Sequence, residues 1–137
     1  MKEKSCGTIL YTYIDGVRHY VLLRARDGYC GFPKGHVEGD ESEAETALRE
    51  TWEETSIRAA IKDGFREEDS YVMPSGNDKT VVYFVASYEG QTPRHNPGYE
   101  HREQLVLPYR EACEALTYPA SKALLSKAEA FLTGEEG

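Results

Sequence analysis

Apolar and polar residues alternate through CGTILYTYI (residues 6–14) and VRHYVLLRA (17–25), the period-two pattern of half-buried strands. The Asp15-Gly16 pair between them is a strong hairpin signal. A loop through Asp27-Gly28 and Gly31-Phe32-Pro33 follows. From Ala44 the period lengthens to that of a helix, with Ala44, Ala47, Leu48 and Thr51 as its apolar stripe. Ser42, with Glu45 three residues on, is placed to open that helix as a capping box. IRAAIK, FREEDSYVM and TVVYFVASYE read as strands, the last two joined by a turn over Pro74 to Asp78. QTPRHNPG reads as a loop and EQLVLP as a strand, and Pro108 is suited to the first turn of a short helix. A final helix is expected from Ala120 to Leu132, with Ala123, Leu124, Ala128 and Phe131 inward and Thr133 to Gly137 as a frayed tail. This order predicts an α/β (α+β) fold in one domain over residues 1–137, a mixed sheet sandwiched between helices.

Composition narrows the function classes. The 137 residues suffice for one core, and no apolar run is long enough to cross a membrane. The first residues, MKEKSCG, lack the apolar segment of a secretion signal. Cys6, Cys30 and Cys113 are odd in number and lack metal-ligand spacing, so they read as reduced thiols of a cytoplasmic protein. A net charge of −8 argues against nucleic acid and anionic membranes as partners. It would also repel a polyphosphate, so any site for one must reverse the sign locally with metal ions and a few basic side chains.

The chemistry concentrates between Gly35 and Ile57, GHVEGDESEAETALRETWEETSI. Residues i, i+3 and i+4 of a helix share a face, which projects Glu50, Glu53 and Glu54 together. Clustered carboxylates repel unless a cation sits among them, and hard divalent cations are the usual answer, commonly holding substrate phosphates too. Arg49 is placed to pair with a neighbouring carboxylate and fix its orientation. A solvated glutamate-rich helix face is the bland alternative, but it gives Gly35 and Arg49 no role.

These residues resemble the Nudix box, G-x5-E-x7-R-E-U-x-E-E-x-G-U with U a bulky apolar residue, at Gly35, Glu41, Arg49, Glu50, Glu53, Glu54 and Ile57. Thr51 stands where an aliphatic residue is usual, and Ser56 replaces the final glycine; every charged position is intact. The resemblance implies the Nudix fold and a metal-dependent pyrophosphohydrolase. Beyond the box, FPKGHVE, Gly64-Phe65, Tyr71, KTVVYFVA, Glu100-His101 and REACEALTY look like asymmetrical diadenosine tetraphosphate hydrolases, a similarity running from Cys6-Gly7 to Phe131-Leu132.

That resemblance implies roles for particular residues. Lys34 and Lys79 would contact phosphates, and His36 would donate to a phosphate oxygen, with a surface loop histidine as its alternative. Tyr71 and Tyr118 would sandwich an adenine, since aromatic faces bind nucleobases by roughly 1–3 kcal/mol per base; packing is the alternative for each. Glu50, Glu53 and Glu54 would hold Mg²⁺ (or Mn²⁺), with Glu100 and the Lys34 carbonyl completing the coordination. Glu50, Glu53, Glu54 and Arg49 would form the catalytic set, the identity of the general base among the carboxylates remaining open. Water would attack the phosphorus four phosphates from one adenosine, giving ATP and AMP. Nucleoside triphosphates, nucleotide sugars and RNA 5′ ends are the alternative substrates, and a non-catalytic nucleotide sensor or a glutamate-rich partner surface the alternative classes.

Overall fold

The computed structural model of the chain describes residues 2–136. Seven strands form one mixed sheet. The first two, β1 (Lys2–Ile14) and β2 (Val17–Arg24), are the expected antiparallel hairpin, Leu10 facing Val21 and Ile14 facing Val17. Asp15 and Gly16 both adopt positive φ, 52° and 78°, the two-residue turn that matches strand twist. Beyond Leu10 the two strands part. The short β3 (Cys30–Gly31) pairs with β2, and β4 (Lys34–His36) pairs with β1 opposite Ser5 to Gly7. The segment that leads into the box is thereby stitched into the sheet, with Thr8 N–H also donating to Pro33 O at 3.1 Å.

Helix α1 (Glu43–Thr55) then crosses one face of the sheet. The expected strands IRAAIK and FREEDSYVM fuse into a single long strand, β5 (Ala60–Val72). Its register slips between Ile61 and Arg66 against β6 (Asp78–Ser87), and Gly64 sits in the slip with φ 102° beneath the Phe131 ring. The break between the two apolar patterns is therefore a bulge, not a loop. Strand β6 runs parallel to β1 from Lys2↔Asp78 to Tyr11↔Ser87, and β7 (Glu103–Pro108) closes the other edge on β2. Helices α2 (Tyr109–Ala115, opening after Pro108) and α3 (Pro119–Glu136) cover the opposite face.

Odd-numbered residues of β1 and β6, among them Ile9, Val81 and Val85, pack with Tyr20 and Leu22 under Leu124, Leu125, Ala128 and Leu132 of α3. Even-numbered ones face α1, with Cys6 and Val82 against Ala47. The α1 stripe differs from expectation. Thr46, Ala47, Thr51 and Thr55 are buried, whereas Ala44 and Leu48 are only partly covered. Three threonines suit this interface because each hydroxyl finds a partner: Thr46 Oγ1 donates to Glu41 at 2.9 Å, Thr51 Oγ1 to Ala47 O while meeting Thr8 Oγ1 at 2.7 Å, and Thr55 Oγ1 to Thr51 O. The tail also departs from the sequence reading, since Thr133 to Glu136 continue α3; Gly137 lies outside the described residues. Arg18 of β2 holds that last turn, bonded to Glu129 at 2.7 Å and Glu136 at 2.5 Å. No helix among the described residues is long and apolar enough to cross a membrane.

Candidate functional site

Helix α1 begins with the capping box in full: Ser42 Oγ accepts from Glu45 N at 3.1 Å and Glu45 Oε1 from Ser42 N at 2.8 Å. It ends at Ser56, whose φ of 61° is the left-handed conformation that a glycine normally supplies. Between these caps Arg49 is a hub. Its Nε and Nη2 bind the two Glu41 oxygens at 2.7 and 3.1 Å, and its Nη1 reaches Glu50 at 2.7 Å and Glu53 at 3.0 Å. Nη2 also donates to His36 O at 2.9 Å, tying the helix to β4. The Arg49 fork, aided by the Glu38 amide N–H, holds the Glu41 carboxyl down at about 2. Glu50 is shifted the other way: burial raises its pKa against the opposing pull of Arg49. A Cβ on Gly35 would lie 2.0 Å from the Glu50 carboxylate, so the glycine is what lets that carboxylate lie across β4.

Glu54 faces elsewhere. Its Oε1 accepts the Lys34 backbone N–H at 2.8 Å, while Oε2 pairs with Arg102, whose other amino nitrogen binds Glu100 at 2.7 Å. The Glu54 side chain is only 12% exposed. Burial lifts its carboxyl to about 7 despite the opposing pull of Arg102 and of the Lys34 amide. Gln104 donates to Glu54 O at 2.9 Å and leaves its own buried Oε1 without a partner. The box carboxylates therefore do not point to one spot. Glu50 and Glu53 converge on Arg49 and Glu54 on Arg102, and no three acidic, histidine or cysteine side chains among the described residues form a metal-holding group. The cause is electrostatic, since each guanidinium draws off the carboxylates nearest it. The donors nonetheless suit a hard divalent ion: they are all oxygen, one carboxylate is buried with its charge undercompensated, and one buried amide oxygen is unpaired.

Next to Lys34 opens a cleft of about 660 Å³ whose walls also include Tyr71, Tyr118 and Tyr29. Tyr71 comes from the end of β5 and Tyr118 from the turn between α2 and α3. Tyr29 packs on Tyr118 with ring centres 5.5 Å apart, tilted by 44°, and its phenol is pushed up to about 12, first by burial. Lys34 is held below the usual lysine range by burial, with Glu54 acting against the shift. Lys34 and Tyr29 also line a narrow extension of about 90 Å³ that ends at Arg102. A run of surface thus joins the tyrosines to Arg102, the partner of Glu54. Another depression of similar volume lies among Trp52, Arg58, Arg94 and His95, and it lacks the link to Glu54 that Lys34 and Arg102 give the tyrosine cleft.

Of the residues singled out in the sequence, Lys34, Tyr71 and Tyr118 share the cleft, and Glu100 joins Glu54 through Arg102. Lys79 and His36 form a separate group. Lys79 is 4% exposed, with Nζ 2.6 Å from Ser5 Oγ and 3.0 Å from His36 Nε2. An ammonium only donates, so the imidazole accepts through Nε2, and the nearby Glu3 oxygen at 3.2 Å is not bonded to that nitrogen. Neither residue lines the cleft. Two residues went unnoticed in the sequence. Arg102 had no local signal except its place two residues after Glu100. Tyr29 follows Asp27-Gly28 in what reads as an ordinary turn.

Comparison with known proteins gives a consistent set of relatives. Residues 10–127 match the NUDIX domain. The bis(5′-nucleosyl)-tetraphosphatase [asymmetrical] of Mus musculus is 35% identical over 96% of this chain and 97% of its own. The crystal structure of a C. elegans Ap4A hydrolase binary complex superposes with a TM-score of 0.87 at 28% identity, covering 96% of this chain and 98% of that one. The NUDIX domain of Shewanella oneidensis NrtR, solved with ADP ribose, shares the fold at a TM-score of 0.79 and 18% identity.

Proposed function

Since the chain belongs to the Nudix family of hydrolases, whose members generally depend on a divalent metal, we propose that it cleaves diadenosine tetraphosphate asymmetrically to ATP and AMP. The observation that carries this reading is the continuity of the cleft. Tyr71, Tyr118 and Lys34 line one cleft, offering a place for a purine and a cation for its phosphates, and Lys34 leads on to Arg102, the partner of Glu54 and Glu100. The tetraphosphatase relatives, alike over nearly their whole length, support the same substrate.

Each residue has a task in that reaction. Tyr71 and Tyr118 hold one adenine between them, by roughly 1–3 kcal/mol per base. Lys34, which lines the cleft, donates to phosphate oxygens. Glu50, Glu53 and Glu54 are the metal-holding carboxylates, with Glu100 and the Lys34 carbonyl as further oxygens, and Mg²⁺ (or Mn²⁺) is the ion their chemistry suits. When bound, the metal neutralises charge growing on the phosphates and acidifies a water. Arg49 fixes Glu41, Glu50 and Glu53 in place, so that losing its fork disorders three carboxylates at once. One carboxylate of this set takes the water's proton. Lys79 and His36 lie outside the cleft, and of the pair it is His36, held by Lys79 at Nε2, that would donate to a phosphate oxygen through Nδ1.

A panel of dinucleoside polyphosphates, nucleoside triphosphates and nucleotide sugars, assayed with Mg²⁺, tests the assignment. Diadenosine tetraphosphate should be the best substrate and yield equimolar ATP and AMP. In ¹⁸O-labelled water, attack on the fourth phosphorus places the label in AMP, whereas attack on the third would place it in ATP. Brisk cleavage of a nucleotide sugar with no turnover of the dinucleotide would move the chain to another Nudix specificity.

A further inference from the structure

Arg102 bridges two of the carboxylates assigned to the metal, Glu54 and Glu100, as Arg49 bridges Glu50 and Glu53. It also stands at the end of the narrow cavity that Lys34 and Tyr29 share with the tyrosine cleft. We propose that Arg102 is an exchange residue: its guanidinium holds Glu54 and Glu100 in the free enzyme, gives up those oxygens when a divalent cation binds, and then donates to the polyphosphate chain. The proposal rests on the reading of the site above for its second half, the phosphate contact, but not for its first.

Three observations support it. A metal ion on Glu54 would repel the guanidinium paired with its Oε2, because two cations on one carboxylate disfavour each other. Among the described residues the Arg102 side chain bonds only to these two carboxylates, so no other hydrogen bond anchors it once they are taken. Its side chain is one-third exposed and lies just before β7, where turning toward the cavity disturbs no core packing. The planar fork that now spans two carboxylates is also the shape that grips phosphate oxygens. In effect the charge at the inner end of the cleft is conserved: Arg102 compensates Glu54 before the metal is present and the phosphates afterwards.

The test measures Mn²⁺ binding to the full-length protein by electron paramagnetic resonance, without nucleotide, in wild type, Arg102→Gln and Arg102→Lys. Removing a charge-assisted competitor should tighten Mn²⁺ binding by roughly tenfold in Arg102→Gln. Arg102→Lys keeps a competing charge and should stay within about threefold of wild type. With Mg²⁺ saturating, ATP should bind Arg102→Gln roughly fivefold or more weakly. Unchanged or weaker Mn²⁺ binding in Arg102→Gln, with a wild-type thermal melt, overturns the exchange. Tighter Mn²⁺ binding with unchanged ATP affinity overturns the phosphate half. Because the Mn²⁺ measurement contains no nucleotide, its failure in an enzyme that still cleaves the dinucleotide sinks this proposal alone. Failure of that cleavage in wild type would sink the substrate assignment and leave the Mn²⁺ result intact.

Discussion

Glu54 is placed where folding and function pull in opposite directions. Its folded carboxyl titrates near 7 against an ordinary 4.5, so the native state binds an extra proton between those values. Stability therefore falls as pH rises from about 4.5 to about 7, and above that the penalty is complete, about 3 kcal/mol. Glu54→Gln keeps the acceptor for Lys34 N–H and removes the buried charge. In chelator at pH 8 it should be more stable than wild type by about 2 kcal/mol, after allowing for the partner Arg102 loses, with no gain at pH 4.5. Urea midpoints at the two pH values decide it; equal or lower stability of the variant at pH 8 would mean that Glu54 is compensated in the metal-free fold. The same substitution should cut turnover by about a thousandfold or more, because an amide carries no charge to hold the ion. Arg49→Lys belongs to the same scale. A lysine cannot serve Glu41, Glu50, Glu53 and the His36 carbonyl at once, so kcat should fall roughly a hundredfold while KM changes little. A rise in KM alone would make Arg49 a phosphate ligand.

Elements were legible where local chemistry specified them and obscure where distant contacts did. The Asp15-Gly16 hairpin, the Ser42–Glu45 cap and the EQLVLP strand depend on neighbours in the chain, and each lies where its residues indicate. The fused β5 and the extended α3 depend on partners far away, β6 in one case and Arg18 in the other. The α1 stripe misled because three buried threonines look polar until their hydroxyl partners are known. Ser56 is the exception that the sequence did expose, as a missing glycine. Its left-handed backbone should be relieved by Ser56→Gly, worth about 1 kcal/mol and roughly 3 °C in Tm, less a little for the exposed Ser56–Arg94 contact. A calorimetric Tm at or below wild type would show that the serine hydroxyl matters more than the backbone strain. Arg18→Met should leave the sheet intact yet loosen the last turn of α3, since the arginine ties Glu136 to β2 while Tyr20 still holds Glu129. Hydrogen exchange should quicken over residues 133–136, and unchanged protection there would assign the helix end to packing by Phe131 and Leu132.

At the scale of the whole molecule the site is an assembly of three layers, which is why only part of it could be read from a linear pattern. The box spacing announced the carboxylates of α1, but the pairing of Glu54 with Arg102 spans 48 residues and follows no period. Tyr71 and Tyr118 likewise belong to different layers, one at the end of β5 and one in the turn before α3. Their rings face the same cleft only because the sheet and the α2–α3 pair close over each other. A clamp built this way should act as a unit. Each alanine substitution alone should weaken diadenosine tetraphosphate binding roughly five- to a hundredfold, with kcat little changed, because the metal-holding helix is untouched. The double substitution should be far less than the product of the two, since a base that has lost one wall is free to tilt away from the other. Tyr29, stacked on Tyr118, gives that wall its rigidity, so Tyr29→Leu should reproduce part of the Tyr118→Ala loss without touching Tyr71. Binding of the dinucleotide measured across the four-member cycle is the deciding experiment. Strict additivity would place the two tyrosines on separate parts of the ligand, and losses confined to kcat would return both to packing.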